Sequence, residues 1–281
     1  MAILDKATPQ DLKRLLQLFP IARLREAWPE IKGTKEELCH LVASSLKPTD
    51  IAQFVDDSLS LCKQHVFVFT RDDGRLALPA SITDGEKVRE VADDHALYIT
   101  RSVNQVVLKD PLEETTLEFL WPVRIEIRGP YLIVRFVVLE KNLGSYFERS
   151  YYIGNRGIDE GDVLEPLVES LTLVSADLHK GVKQLWADGF MDSCRTRYKT
   201  PVSLASEIMD EERGIRENKP ELYELLSESQ LYNTLFFILE GQGRSVEVMS
   251  VDPSRGFIAF LRYTDDLGDT DRVIQKILDS N

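Results

Sequence analysis

The hydrophobic periodicity of the chain changes abruptly at His65. Before this residue, apolar side chains recur every three or four positions, which is the spacing of helices that bury one face. After it, Val66-Phe67-Val68-Phe69 is a short apolar run followed by the turn residues Asp72-Asp73-Gly74. The change predicts a helical N-terminal module, residues 1–65, followed by a body, residues 66–281, that contains strands.

Start and stop signals divide the N-terminal module into four short helices. Thr8-Pro9-Gln10-Asp11 provides an N-cap hydroxyl, a proline in the first turn and a carboxylate, and Pro20 ends that helix. A second helix runs from Ile21 to Trp28. Thr34-Lys35-Glu36-Glu37 fits a capping box that begins a third, and a fourth follows Lys47-Pro48.

The first half of the body is predicted to form antiparallel strands over residues 96–100, 105–108 and 146–153, together with one clear hairpin. In the first arm of this hairpin, apolar and charged residues alternate: Val123, Arg124, Ile125, Glu126, Ile127 and Arg128. Gly129-Pro130 forms the turn, and residues 131–139 form the second arm. We expect the charges of the first arm to face solvent, and the second arm, interrupted only by Arg135, to be central in the sheet.

The second half of the body begins with leucines at every seventh position from Leu164 to Leu185. They predict one long helix over 162–187 that packs across the sheet; a dimer seam is the alternative. A further helix is predicted from Thr200 through Ile208. Residues 210–219 are predicted to be a linker or exposed loop, 235–239, 246–251 and 257–263 to be strands, and 272–278 to be a closing helix.

Together these elements predict an α+β fold: a small all-α N-terminal module followed by a mainly antiparallel sheet domain with a long packing helix. The body has one candidate subdivision near residues 210–219. The composition supports a folded protein, because 43% of the 281 residues are hydrophobic and 29% are charged.

The net charge of −13 is distributed unevenly, with balance in residues 1–65, −4 in 66–160 and −9 in 161–281. An acidic body repels phosphate backbones, so contact with nucleic acid requires a local basic face. The strongest such face lies in residues 6–35. Its seven cations are Lys6, Lys13, Arg14, Arg23, Arg25, Lys32 and Lys35.

Three widely spaced cysteines, Cys39, Cys62 and Cys194, fit a reducing compartment. The chain has no apolar run long enough to cross a membrane, and it does not begin with the basic-then-apolar pattern of a secretory signal. We therefore expect a cytoplasmic protein without a membrane partner.

One short segment resembles a known motif. Ile31-Lys32-Gly33-Thr34-Lys35-Glu36-Glu37-Leu38, preceded by Leu24 and Trp28, is similar to the SAP or helix-extended-helix motif, and the resemblance covers residues 21–46. In that family, basic residues near the connection and the start of the second helix contact DNA phosphates. The resemblance therefore implies a nucleic-acid site at Lys32, Gly33, Thr34 and Lys35, with Arg23 and Arg25 nearby. Free N–H groups and ammonium groups at a helix start attract phosphate.

A protein–protein adapter is the alternative for the N-terminal module, since small helical modules, including death-fold-like ones, often serve that role. In this hypothesis the basic half binds an acidic half on another copy of the chain. The acidic half contains Glu36, Glu37, Asp50, Asp56 and Asp57.

A second basic patch is predicted at the distal end of the long helix and just beyond it. Its members are Lys180, Lys183, Arg195, Arg197 and Lys199, with Trp186, Phe190 and Tyr198 between them. Cations interleaved with aromatic residues are typical of surfaces that bind nucleic acid or an acidic partner. The alternative is a polar surface above aromatic residues of the core.

Catalytic, metal and cofactor sites are not predicted. Cys39, His40, Cys62 and His65 lack the paired spacing of a structural zinc site. The phosphate-binding glycine loops, the nucleophile elbow and the metalloprotease helix motif are absent from the sequence. The leading hypothesis is a non-catalytic binding protein whose N-terminal module contacts a macromolecule, with DNA as the specific version. The alternatives are a protein adapter and an enzyme of unknown class.

Overall fold

The computed structural model describes residues 2–79, 86–92, 94–109, 112–138, 151–153, 160–199, 204–208, 214–240, 243–262 and 269–281. Its helices are α1 (Ala2–Asp5), α2 (Pro9–Leu16), α3 (Ile21–Ala27), α4 (Lys35–Ser45), α5 (Pro48–Ser58), α6 (Gly161–Leu171), α7 (His179–Ala187), α8 (Ile215–Asn218), α9 (Pro220–Glu228) and α10 (Asp269–Asp279). Its strands are β1 (Gln64–Thr70), β2 (Glu86–Ala92), β3 (His95–Lys109), β4 (Leu112–Arg128), β5 (Tyr131–Val137), β6 (Tyr151–Ile153), β7 (Val174–Ser175), β8 (Met191–Lys199), β9 (Leu204–Ile208), β10 (Leu231–Glu240), β11 (Gly243–Asp252) and β12 (Phe257–Phe260). Short 3₁₀ helices span Leu59–Leu61 and Pro253–Arg255.

Contacts divide the chain into two compact units that interleave in sequence. The first unit contains Met1–Cys62 and Arg71–Leu173, and the second contains Lys63–Thr70 and Val174–Asn281. The N-terminal helices thus belong to the same unit as β2–β6, and the division does not fall near 210–219. The predicted organisation into a helical module, residues 1–65, and a body, residues 66–281, stays a prediction.

The first unit begins with the predicted helices, which are stabilised at their starts by capping boxes. Thr8 Oγ1 accepts a hydrogen bond from Asp11 N at 3.2 Å, and the Asp11 carboxylate accepts one from Thr8 N at 3.0 Å. These bonds satisfy donors that the first helical turn leaves open. Leu16, Phe19, Leu24 and Leu38 are fully buried among the helices. The α+β fold class, with its N-terminal helices and antiparallel sheet, is confirmed.

The sheet of the first unit has the order β2-β3-β4-β5, with every pair antiparallel, and β6 pairs with β3. The predicted hairpin is present: Arg128 lies opposite Tyr131 across the two-residue turn Gly129-Pro130. Gly129 has φ +56°, a conformation that glycine adopts at little cost. The separate strands predicted at 96–100 and 105–108 are both parts of β3.

The solvent-facing position predicted for the charges of β4 is wrong. Glu126 is buried, Arg124 and Arg128 are half-buried, and Val123 and Ile125 are buried on the other face. Helix α2 packs on β4, and Asp56 of α5 contacts His95 of β3, the residue opposite Glu126. The charged residues of β4 therefore alternate with apolar ones because one face of the strand carries ion pairs and is covered by other parts of the unit.

The sheet of the second unit has the order β1-β12-β11-β10-β8-β9, and β7 pairs with β1. The predicted strands near 235–239, 246–251 and 257–263 correspond to β10, β11 and β12. Trp186 of α7 is buried and contacts the rings of Phe236 and Tyr223. Helix α10 corresponds to the predicted closing helix and packs against α7.

The single long helix predicted over 162–187 is wrong. Helix α6 ends at Leu171 because Thr172 takes a left-handed conformation, φ 53° and ψ 52°, and Leu173 N donates back to Val168 O. Val174 and Ser175 then pair with Thr70 and Phe69 of β1. Helix α7 then begins at His179, whose backbone N–H donates to Asp177 Oδ1 at 3.0 Å.

The helix predicted from Thr200 through Ile208 is also wrong where the structure describes it. Leu204–Ile208 is strand β9, which pairs in regular antiparallel register with Arg195–Lys199 of β8. Leucine and isoleucine four residues apart suit either a helix or one face of a strand, and pairing with β8 decides for the strand. Residues 200–203 lie outside the described residues, as do 139–150 and 209–213.

Candidate functional site

The connection between α3 and α4 carries the SAP-like segment. Gly33 has φ +132°, and a Cβ there would lie 2.6 Å from Glu37 Oε2, so both backbone and space favour glycine. Thr34 N and Oγ1 donate to Glu37 Oε2 at 2.7 and 2.9 Å, and Glu37 N donates to Thr34 Oγ1 at 3.3 Å. The predicted capping box is therefore confirmed.

This capping box places a carboxylate at the start of α4. The hydrogen bonds from the Thr34 backbone and hydroxyl lower the pKa of Glu37 below its ordinary value, which favours the charged form. A phosphate at this helix start would compete with Glu37 for the Thr34 N–H. The geometry therefore supplies a self-capped helix start beside the exposed Lys32.

Most of the remaining cations proposed for this site are engaged within the first unit. Lys35 Nζ donates to Gln17 O at 2.7 Å, and burial lowers the pKa of Lys35. Arg23 pairs with Glu26 at 2.9 Å and donates to Ser58 Oγ at 3.0 Å. Arg25 Nη2 donates to Gly33 O at 3.3 Å.

Among the other cations of residues 6–35, some have a bonding partner within the described part of the chain and others do not. Lys13 pairs with Glu36 at 2.8 Å, which ties α2 to α4. Lys6 and Lys32 are exposed, and neither has a hydrogen bond or an ion pair with the described residues. Arg14 has a partner as well, so two of the seven side chains present an ammonium group that the described residues leave unengaged.

The acidic half proposed for an adapter is also partly engaged. Asp56 is only 4% exposed and accepts a hydrogen bond from His95. Glu36 holds Lys13, and Glu37 caps α4. Asp57 is exposed and accepts a hydrogen bond from Gln53. A second copy of the chain would therefore meet fewer free carboxylates than the composition indicates.

The second basic patch divides between two elements of the second unit, α7 and β8. On α7, Lys180 Nζ donates to Asn281 O at 2.9 Å. Lys183 is half-buried near Asp177 and Glu228, and burial lowers its pKa while those carboxylates oppose the shift. Lys180 is therefore engaged by a backbone oxygen, whereas Lys183 is subject only to the charge of the two carboxylates among the described residues.

The remaining three residues, Arg195, Arg197 and Lys199, form what we call the β8 cation row. They alternate with Thr196 and Tyr198, which are buried, so the three cations share one face of β8. Arg195 and Lys199 are exposed, and Arg197 is half-exposed. None of the three has a side-chain hydrogen bond or ion pair with the residues that the structure describes.

Neighbouring strands extend the surface around the β8 cation row. Tyr232 of β10 lies opposite Arg197, while Ser206 and Leu204 of β9 lie opposite Arg197 and Lys199. Leu204 is 61% exposed and Tyr232 is partly exposed. In contrast, Trp186 and Tyr198 belong to the core. The surface thus combines three cations with an aromatic ring and an aliphatic side chain, an arrangement that depends on the unpredicted strand β8.

The cysteines are buried as thiols. Burial raises the pKa of Cys39 to about 11 and that of Cys62 to about 12. Among the described residues, no three side chains of His, Cys, Asp or Glu lie close enough together to hold a metal ion.

Comparison with known proteins finds no match to this chain among family models, curated proteins or solved structures. Within the described residues, no helix is both long enough and apolar enough to cross a membrane.

Proposed function

We propose that this protein is a non-catalytic binding protein that contacts single-stranded nucleic acid through the β8 cation row. The observation that carries the proposal is the position of Arg195, Arg197 and Lys199 on one exposed strand face without ionic partners in the described part of the chain. Holding three like charges on one strand is unfavourable unless solvent or an anion compensates them.

The neighbouring side chains favour a single strand over a duplex. Proteins that bind single strands combine cations for the phosphates with aromatic faces on which bases stack. Tyr232, opposite Arg197, supplies such a face. Leu204, opposite Lys199, supplies further apolar contact area.

The acidic charge of the surrounding chain limits the strength of this interaction. Residues 161–281 carry −9, so the long-range field repels phosphate and contact relies on the local row. Each phosphate neutralised on a single strand contributes about −0.7 to the slope of log affinity against log salt concentration. Three contacts therefore predict a slope of about −2.

The test measures binding of the full chain to a fluorescein-labelled oligothymidylate of about 16 nucleotides, between about 50 and about 200 mM salt. We expect the double variant Arg195→Gln/Lys199→Gln to lose about tenfold or more in affinity at the lowest salt, and its slope to fall to about −0.7. Lys32→Gln is the matched control, because Lys32 is also an exposed cation without a partner among the described residues.

Three other results would contradict binding through the β8 cation row. If Lys32→Gln abolishes binding and the double variant does not, the SAP-like connection is the contact. Absent or salt-insensitive binding rejects phosphate recognition altogether. In that case, concentration-dependent self-association of the full chain in sedimentation equilibrium would favour the protein adapter.

A further inference from the structure

A cavity of about 500 Å³ lies in the second unit, between the α7–β8 turn, α8 and β10. Its volume is within the range of small-molecule sites. Two apolar side chains, Phe237 and Leu239, form part of its wall. The rest is formed by two glycines and three charged residues: Gly189, Gly214, Asp192, Arg216 and Glu217.

Asp192 is the most constrained charge of this cavity, since only 5% of its surface is exposed. Its Oδ1 accepts three hydrogen bonds, from Trp186 Nε1 at 2.9 Å, Ser193 N at 2.7 Å and Arg216 N at 3.2 Å. Its Oδ2 accepts none from the residues that the structure describes. A buried carboxylate normally has donors on both oxygens, so Oδ2 is an acceptor available to a ligand.

Gly214 keeps Oδ2 accessible. A Cβ at this position would overlap Oδ2 of Asp192, although the Gly214 backbone has φ −74° and would itself tolerate a side chain. The absence of a side chain at Gly214 therefore leaves room around Oδ2 of Asp192. The same residue lines the cavity.

Arg216 brings a positive charge to the same cavity. Its Nη1 donates to Trp186 O at 3.0 Å, which fixes the side chain and leaves the Nη2 edge of the guanidinium without a hydrogen bond to the described residues. Gly189 allows this approach, because a Cβ there would lie 2.7 Å from Nη1. A guanidinium edge is well suited to a carboxylate.

The opposite charges restrict what the cavity can bind. Oδ2 of Asp192 and the exposed carboxylate of Glu217 favour a cationic N–H donor. Arg216 repels a ligand that carries only a cation, and the two carboxylates repel one that carries only an anion. A ligand with both charges on one centre satisfies each group, and its apolar portion can contact Phe237 and Leu239.

We propose that this cavity binds a free α-amino acid with an apolar side chain. The ammonium group donates to Asp192 Oδ2, the carboxylate accepts from Arg216, and the side chain packs on Phe237 and Leu239. This site is independent of the β8 cation row, so either proposal can fail without the other.

Isothermal titration of the full chain tests the proposal with L-phenylalanine and three analogues, each of which lacks one feature. Phenethylamine lacks the carboxylate, 3-phenylpropanoate lacks the ammonium group, and glycine lacks the apolar side chain. We expect each analogue to bind about tenfold or more weakly than phenylalanine, because each leaves a charge or an apolar wall unmatched. Equal affinity for phenylalanine and phenethylamine, or no heat with phenylalanine at millimolar concentration, would overturn the proposal.

A variant provides an independent test. Asp192→Asn keeps an oxygen for the three donors at Oδ1 but places an amide donor where the ammonium group would bind. We expect it to lose phenylalanine binding by about tenfold or more. Asp188→Asn, which changes an exposed carboxylate bonded to Gln184, is the matched control. Unchanged binding by a folded Asp192→Asn protein would contradict the site, and the analogue series decides the matter if this variant does not fold.

Discussion

His95 Nε2 of β3 lies 2.9 Å from Asp56 Oδ1 of α5, which links the helices of the first unit to its sheet. The second ring nitrogen, Nδ1, lies 3.3 Å from Arg124 Nη2. A guanidinium can only donate, so Nδ1 must accept and Nε2 must carry the proton given to Asp56. The pair therefore requires one tautomer of a neutral imidazole.

We predict that long-range ¹H–¹⁵N correlation spectra at neutral pH show His95 with its proton on Nε2. His179 is an internal control for the opposite tautomer, because its Nδ1 lies 2.6 Å from Asp177 and its Nε2 accepts from Leu231 N. A double-mutant cycle of Asp56→Ala and His95→Ala should give a coupling energy of about 1–3 kcal/mol. A proton on Nδ1 of His95, or no coupling, would contradict the arrangement.

Glu126 predicts an acid-sensitive contribution to stability. Burial tends to raise its pKa, but Arg135 at 2.5 Å and Arg128 at 2.8 Å prevail with Arg124 and hold the pKa below the ordinary 4.5. The ion pairs therefore stabilise the fold at pH above 4.5, and this stabilisation is lost as the pH falls through the lower folded-state pKa. Urea unfolding of the wild type and of Glu126→Gln, at neutral pH and below pH 4.5, measures this contribution to the free energy of unfolding.

At neutral pH we expect Glu126→Gln to lower the free energy of unfolding by about 3–5 kcal/mol, because Arg135 is fully buried beside it. Below pH 4.5 the gap between the two proteins should narrow. Glu118→Gln on the same strand is the control: its carboxylate is exposed and lies 3.6 Å from Arg101, so about 0–1 kcal/mol is expected. A gap that widens in acid would refute this assignment.

Gly181 sets the distance between α7 and α10. A Cβ at this position would overlap the carbonyl oxygen of Ile277, and Gly181 N donates to Asn281 Oδ1 at 3.1 Å. We predict that Gly181→Ala lowers the free energy of unfolding by about 3 kcal/mol or more, because the backbone of α10 must move to admit the Cβ. Gly74→Ala, where φ is +65° but no atom lies within 4 Å, should cost only about 1 kcal/mol from the backbone. Thermal denaturation measures both variants. If they lose the same free energy of unfolding, α10 can move away from α7 at little cost and the prediction is wrong.

The cysteines should be chemically inert in the folded protein. With a pKa of about 11, Cys39 is a thiolate in only about one molecule in a thousand at pH 8. Cys62 and Cys194 are buried as well. Ellman's reagent at pH 8 should therefore modify none of the three rapidly until guanidinium unfolds the chain, and a fast native reaction would indicate an exposed thiol.

The elements that could be predicted from the sequence are those with local signals. Thr34 and Glu37 are three residues apart, and their capping box begins α4 without help from the rest of the chain. The Gly129-Pro130 turn defines its hairpin in the same way. In contrast, β7 and β9 are short segments whose conformation depends on pairing with β1 and β8.

The candidate sites were harder to predict from the sequence than the helices and strands, because they depend on contacts between distant parts of the chain. Lys35 is basic in the sequence, but its ammonium group is bonded to Gln17, whose position depends on how α2 packs against α4. The sequence places three cations, Arg195, Arg197 and Lys199, in a predicted basic patch. They lie on one face only because residues 191–199 form strand β8, which was not predicted. The cavity around Asp192 could not be predicted, because it joins residues 189–192, 214–217 and 237–239.

The hydrogen bond between Trp186 Nε1 and Asp192 has an optical consequence. Trp186 is the one tryptophan of the second unit, since Trp28 and Trp121 belong to the first. In a Trp28→Phe/Trp121→Phe background, the emission maximum of the remaining indole would follow denaturation of that unit alone. Because the same indole donates to the carboxylate of the cavity, its fluorescence would also register an occupant there without any added label.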